Sequence, residues 1–467
     1  MQKDFLAQAT TPQITFFGAT ESIHGSMHLL ETGRSRILLD CGRQIEPAKS
    51  RGSARSRMNR AFPFDPTSLD AVLLTHAHSD HCGNLPYLVK QGYHGPIYCS
   101  AATRDLIEVI LNDNARIHEM ELERSRYSSH ANAIANAKSA FDFRDVEDML
   151  DQCEVIELNQ AISIAPSVTL RASDSAHVLG SVMFEVEFEF QGIDKRFVFT
   201  GDLGRRGLPL VGTPNKVPAA DLVVCESTYG GRFHEPFEST MTKLANVINH
   251  SINQGGKVLV PAFSLGRIHL VRYCLVQAME RGDIPHVPIY IDSPLTLALD
   301  DVYRDFYDST ELSIQDERCE WLSSPDDAWF RTTESGPAII VASGGMCDGG
   351  RILDHLKYHI DDPRASLVLV SHQSDTSLGS QLLAPTPTVR FHGRLWNKWI
   401  NVVQIAGFSA HADTNDFEYL LREAVENTGK VCLVHGEDAQ KQALKSQLEG
   451  LGFRQVIIPE LADTVAI

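Results

Sequence analysis

Three imidazoles and a carboxylate fall within six residues at His76-Ala-His78-Ser-Asp80-His81. The apolar run Ala71-Val-Leu-Leu-Thr75 precedes them and reads as a buried strand. Residues two apart in extended backbone project to one side, so His76 and His78 face the same way. Asp80 and His81 then fall on the turn into a helix. Imidazole with carboxylate is the donor set that zinc takes in hydrolytic sites. A lone His at a strand end is usually packed or solvated; four ligand-type groups this close are not. Four donors cannot saturate two metals, so partners must come from elsewhere. Asp40 follows Ile37-Leu-Leu39, His177 lies in Ser173-Asp-Ser-Ala-His-Val-Leu-Gly180, Asp202 follows Arg196-Phe-Val-Phe-Thr200, and His435 follows Val431-Cys-Leu-Val434. Each alone suits a turn cap or a packed ring, but all share one placement, a polar residue after an apolar strand.

In that order, Asp40, His76-x-His78-x-Asp80-His81, His177 and Asp202 resemble motifs one to four of the metallo-β-lactamase superfamily. The resemblance implies one zinc on His76, His78 and His177, a second on Asp80, His81 and His435, Asp202 bridging, and Asp40 orienting a ligand imidazole. Manganese or iron also suits such a site. Cys225-Glu-Ser-Thr-Tyr-Gly230, Gly407-Phe-Ser-Ala-His-Ala-Asp413 and Leu433-Val-His-Gly-Glu437 are similar to motifs A, B and C of the β-CASP nucleases. Pro261-Ala-Phe-Ser-Leu-Gly-Arg267, Asp292-Ser-Pro294 and Ala342-Ser-Gly-Gly-Met-Cys-Asp-Gly-Gly350 resemble stretches inside the β-CASP insertion. The compact bacterial members match best. The resemblance implies a ribonuclease whose two-zinc-activated hydroxide cleaves phosphodiester bonds in a cleft between two domains. Asp80, Asp202, Glu226 and His411 are its expected catalytic residues, with His411 protonating the leaving oxygen and Glu226 orienting it. Motif C is usually Val in the DNA-directed branch, so His435 favours RNA, taken as single-stranded; a homodimer is also in keeping with the family. One stretch departs: Ser371-His-Gln-Ser-Asp-Thr-Ser-Leu-Gly-Ser380 lacks the Arg that ends the corresponding segment in many relatives.

The positioning elements obey the same logic. Short β-rich runs at 13–17, 28–31 and 36–39, then strands across 153–171 and 181–200, make the first part a sheet structure, with 103–150 helical. Met183-Phe-Glu-Val-Glu-Phe-Glu-Phe190 alternates, as a sheet with one wet face does. From about 230 the texture changes to strand–helix units, such as Lys257-Val-Leu-Val-Pro261 before a helix at 266–281, which imply a parallel sheet covered by helices. The expected fold is α/β, a metallo-β-lactamase αββα sandwich (1–229, closed by 396–467) carrying an inserted β-CASP domain (230–395). The Gly-rich turn with Ser343, Gly344, Gly345 and Met346 reads either as a phosphate cradle or as a flexible turn; Ser264 and Arg267 stand beside a second such turn. Arg267 suits a phosphate or a surface ion pair.

Composition bounds the rest. The chain has 467 residues, 43% hydrophobic and 22% charged, with no apolar run long enough for a membrane span and no signal-like start, so a cytoplasmic setting is expected. Nine scattered cysteines without a CxxC pair suggest reduced thiols. A net charge of −18 opposes non-specific grip on nucleic acid. Against it stands a stretch with Arg43, Lys49, Arg51, Arg55, Arg57 and Arg60, either a solvated loop or a phosphate-tracking arm. Three rivals stand beside the ribonuclease: an ester, thioester or lactam hydrolase of the same fold, a DNA nuclease, and a non-catalytic scaffold. The first suits the charge but leaves Glu226 and His411 without a purpose. The last has no need of seven ligand-type residues. Endonucleolytic and 5′-exonucleolytic action are equally open.

Overall fold

The computed structural model describes residues 11–43, 61–126, 140–307, 318–322 and 324–467. Of the basic stretch only Arg43 is among them; Lys49, Arg51, Arg55, Arg57 and Arg60 lie outside the described residues. The chain forms two compact units, one of residues 1–206, 211–233 and 411–467, the other of 207–210 and 234–410.

The first unit is two seven-stranded sheets face to face. In one, Gln13–Phe16, His28–Glu31, Arg36–Leu39, Ala71–Leu73, Ile97–Cys99 and Cys153–Val155 lie side by side in order, with Thr464–Ala466 on the outer edge of Gln13–Phe16. In the other, Ala161–Ala165, Val168–Asp174, Val182–Phe190, Ile193–Phe199, Leu222–Glu226, Lys430–Val434 and Val456–Ile457 are neighbours in that order. Their inner faces interdigitate: Phe16, Leu30, Leu39 and Leu73 pack with Leu170, Phe184, Phe197, Val224 and Val434. The alternation expected over 183–190 holds from Phe184 on, with Phe184, Val186 and Phe188 buried while Glu185 and Glu187 pair outward with Arg196; Met183, on the other face, is buried under the covering helices. Helices Thr414–Leu421 and Asp438–Leu451 cover the outer face of the second sheet through Phe417, Leu420, Leu444 and Leu448. The expected helix 103–150 comprises Ala101–Arg126 and Phe143–Leu150. The second of these starts anew because Asp142 and Asp145 form a reciprocal capping box.

The second unit holds a six-stranded sheet, ordered Cys319–Trp321, Ile289–Asp292, Ala338–Ser343, Lys257–Ala262, Ser366–Leu369, Asn401–Gln404, with every pair parallel. Its central strands are buried on both faces, which is why they read as unbroken apolar runs. Helices Pro325–Thr333, Ile352–His359 and Leu378–Leu383 share one apolar cluster with Leu259, Ile340 and Leu367.

The boundaries differ from those expected from sequence. The closing segment starts at 411 rather than 396, because Asn401–Gln404 pairs in parallel with Ser366–Leu369 and completes the second unit's sheet. The first junction falls after Phe233 rather than 229. Arg232 stays with the first unit, its carbonyl accepting from Thr414 N at 3.0 Å. Residues 207–210 go to the second, where Tyr307 Oη donates to Leu210 O.

One buried polar residue of the sandwich has an unusual setting. His28 is fully buried, edge-on to Phe16 (5.2 Å) and Phe199 (5.6 Å), and its ring nitrogens have no hydrogen-bond partner. Burial, then His81 and His435, press it down to about 3. Since its unfolded value is near 6.5, its contribution is whole above that pH and is lost as pH falls toward 3, at about 1.4 kcal/mol per unit. Denaturant melts from pH 7 to 4.5 should therefore show His28→Phe losing less stability than the parent, by about 2–3 kcal/mol. Parallel curves would mean that the ring does not carry this effect.

Candidate metal centre

Asp40 is the anchor of the centre. It succeeds the strand Arg36–Leu39 at φ 55°, fully buried, with its amide held by Leu73 O (2.9 Å). Its Oδ1 accepts from Thr75 N at 2.9 Å, Thr75 Oγ1 lies 3.0 Å away, Ser26 Oγ donates to Oδ2 at 3.1 Å, and His81 Nδ1 sits 2.6 Å from Oδ2. Thr75 Oγ1 is also 3.0 Å from His76 Nδ1. With its proton given to Asp40, that oxygen accepts from the His76 ring, so Nδ1 carries the hydrogen and Nε2 keeps a lone pair. The same logic applies to His81, whose Nδ1–H goes to Asp40, and to His435. Thr228 Oγ1, donating to His435 O at 2.9 Å, lies 3.1 Å from His435 Nδ1. Three rings are thus set to present Nε2.

The ring nitrogens of the histidines crowd together. His81 Nε2 is 3.2 Å from His435 Nε2, and His78 Nδ1 is 2.9 Å from His76 Nε2 and 3.3 Å from His177 Nε2. Asp202, 2% exposed, lies 3.2 Å from His435 Nδ1, 3.4 Å from His177 Nε2, 3.4 Å from His81 Nε2 and 3.6 Å from His76 Nε2. A buried carboxylate ringed by imidazole nitrogens at these distances, with Oδ1 in no well-formed hydrogen bond, fits a cation. Among the described residues three groups satisfy close ligand spacing, two of them being His76 with His78, His177 and Asp202, and Asp80 with His81 and His435. The seven sequence candidates are therefore together, with Asp40 behind them.

Electrostatics point the same way. Burial, then the neighbouring rings, hold His76 and His177 well below the ordinary imidazole range, in the neutral form that a metal requires. Burial raises Asp202, against the pull of His435 and His81. Burial alone would also raise Asp80, but His435 and His81 outweigh it and hold it down. For His81 burial is overcome by Asp202, Asp40 and Asp80, which lift it to about 10. Without a metal this ring holds a proton at neutral pH, and a cation takes that proton's place.

Beside this centre stands an acid pair. His411 bridges backbone-to-backbone with Gly204, and Ala412 N bonds Leu203 O at 2.8 Å, which fixes His411 in the first unit. Its Nδ1 lies 3.0 Å from Glu226 Oε1. Glu226, 1% exposed, also accepts from Leu203 N and Thr228 N, each at 2.9 Å. Burial opposes its charge, but His411 holds it below the usual glutamate value. His411 is less buried than its partner, with a side chain 18% exposed, and groups with Asp202 and Glu226 at ligand spacing.

Comparison with known proteins places the chain in a family. Residues 23–150 fit the metallo-beta-lactamase superfamily, 270–382 the Beta-Casp domain, and 400–459 the Zn-dependent metallo-hydrolase RNA specificity domain. Ribonuclease TTHA0252 of Thermus thermophilus is 32% identical over 466 residues, covering 97% of this chain and all of that protein. The chain belongs to the β-CASP ribonuclease family. A second relative in it, transcription termination factor FttA of Methanothermobacter thermautotrophicus, is 28% identical over 93% of this chain and 69% of its own length. The overall fold is also that of a protein of unknown function from Enterococcus faecalis V583, with a TM-score of 0.52 at 12% identity, covering 98% of this chain and 100% of that one.

The β-CASP unit gathers the remaining candidates at the carboxyl ends of neighbouring strands Lys257–Ala262 and Ala338–Ser343, where open parallel sheets place ligands. Ser264 Oγ is 3.1 Å from Ser293 Oγ. Arg267 Nη1 donates to Val370 O at 3.1 Å. Ser343 Oγ accepts from Arg351 N at 3.3 Å. The Gly344 N–H goes to Ala262 O and the Cys347 N–H to Gly344 O, so the turn is hydrogen-bonded within itself and to the neighbouring strand. Gly344 has φ +114°, and an added Cβ would meet Gly349 O at 2.1 Å. Gly345 sits against Phe263 and Ser371, and Met346 O accepts from Gly379 N at 3.0 Å. Sequence reasoning missed Thr75 and Thr228, although Thr75 adjoins His76 and Thr228 lies two residues after Glu226; a hydroxyl close to a ligand or motif carboxylate was the available signal.

Asp40→Asn tests the anchor, since Asn tolerates the left-handed backbone and the change isolates the charge. Chelator competition should show metal affinity falling about 10–100-fold with the fold retained. Unchanged affinity would mean that Asp40 does not set the ligand rings.

Proposed function

We propose that this chain hydrolyses RNA phosphodiester bonds with two zinc ions, one held by His76, His78 and His177 and the other by Asp80, His81 and His435, with Asp202 between them. When bound, such a pair supplies Lewis-acid charge for the phosphoryl oxygens and a water acidic enough to ionise near neutral pH. Everything else falls to the chain. Asp40, Thr75 and Thr228 fix which ring nitrogen each histidine presents. Glu226, held ionised by three donors, orients His411 through Nδ1, and the remaining ring nitrogen of His411 carries the proton that the leaving oxygen needs. The observation that carries the reading is this Glu226–His411 pair next to the ligand groups. A thioester or lactam hydrolase of the same fold has less use for a second, separately anchored acid. RNA as the substrate is supported by the matched RNA specificity segment and by the relative named as a ribonuclease.

Ser264, Arg267, Ser343, Gly344, Gly345 and Met346 are assigned to the substrate's phosphates on their place at the strand ends; the spent amide of Gly344 leaves to it only the close approach that a glycine permits. Incubation with end-labelled RNA, the same sequence as DNA, and a thioester should show turnover of RNA alone, abolished by a chelator and restored by zinc or manganese. Thioester turnover without RNA cleavage would overturn the reading. His411→Ala should keep the parent's metal content while losing about 10²–10⁴ in rate; full activity would show that the proton comes from elsewhere.

A further inference from the structure

Phe263 follows directly on the buried strand Lys257–Ala262, yet it is 41% exposed. It opens the turn that carries Ser264 and Arg267, and its carbonyl accepts from Ile268 N at 3.1 Å. The turn after Ser343 stands at the end of the adjacent strand, and the Phe263 ring meets it at Gly345. Phe263 Cδ1 and Cδ2 are each 3.3 Å from the point where a Cβ on Gly345 would stand, and no other ring carbon is nearer. An approach within the plane of the ring would bring Cγ or one side closest. Equal distances to the two carbons that flank Cγ therefore place Gly345 over the flat of the ring. One face is closed by glycine, so the exposed area falls on the opposite face and the rim.

Phe263 lies outside the apolar cluster that Leu259, Ile340 and Leu367 share with their helices. What the position offers is a flat aromatic face, backed by a turn and set among the residues assigned to the substrate's phosphates. Phenylalanine has neither donor nor acceptor in its side chain, so it cannot read the edge of a base. It can take a flat apolar partner, and a nucleobase is the flat part of an RNA chain. On the basis of the ribonuclease reading, we propose that Phe263 is the stacking platform for one unpaired base of the substrate. Gly345 is part of the device, because any side chain there would push the ring out of its place. A base inside a duplex already has both faces covered, so the platform selects single-stranded RNA.

Cleavage of a short single-stranded RNA by the full-length, metal-loaded protein tests the assignment. Phe263→Ala should raise KM about 5–150-fold, with the metal content of the parent retained. Phe263→Tyr, which keeps the ring, should hold KM near the parent's value. Phe263→Leu, apolar but without a ring face, should behave like Phe263→Ala. Substrates with one abasic nucleotide, stepped along the chain, locate the partner. At one position the missing base should weaken the parent by a similar factor and leave Phe263→Ala unaffected, and the identity of the base there should matter little. RNA cleavage with KM unchanged in Phe263→Ala, a leucine as good as tyrosine, or a Phe263→Ala loss that adds to that of every abasic position would each overturn the stacking role. None of these results would touch the ribonuclease reading. A parent protein that cleaves no RNA would overturn that reading, and this inference with it.

Discussion

The Asp40 carboxylate holds the metal centre in register. It ties together the end of Arg36–Leu39, the Ser26 hydroxyl, the amide and hydroxyl of Thr75, and the imidazole of His81. None of these contacts touches a substrate. Together they decide that His76 and His81 offer Nε2, and they do so by consuming the alternative nitrogen. A buried carboxylate is costly alone, and this one is stable because several donors converge on it. Its left-handed backbone is part of the same arrangement, since the strand must turn sharply there to aim the side chain at Thr75.

The sandwich exists to make such convergence rigid. His76 to His81 come after a strand of the first sheet, whereas Asp202, Glu226 and His435 stand at strand ends of the second. Two sheets packed through Leu73, Phe184, Phe197 and Val224 bring those ends within bonding distance. His411 comes from the segment that returns after the inserted unit and is fastened by its bridge to Gly204. His411 can then stand beside the His and Asp ligand groups, in the place proposed for the leaving-group acid.

Much of this was legible because ligand-type residues after apolar strands form a pattern that local sequence preserves. Asp40, His76 to His81, His177, Asp202 and His435 all conform to it. Thr75 and Thr228 escaped because a threonine hydroxyl acquires its role only from the ring beside it, which tertiary packing supplies. The junction at 411 escaped because the short strand Asn401–Gln404 looks like any other short strand; its parallel pairing with Ser366–Leu369, not its composition, assigns it to the second unit. Similarly, the Gly-rich turn after Ser343 suggested amides free for a phosphate, but not that Gly344 would spend its amide on Ala262.

The central claim is that two metal sites act together on RNA. Titration of the metal-free protein with zinc, with bound metal and RNA cleavage read on the same samples, tests it most directly. Two cooperating sites predict saturation at two ions per chain, with cleavage appearing as the second binds. Cleavage by the metal-free protein, or full activity with one ion bound, would contradict it.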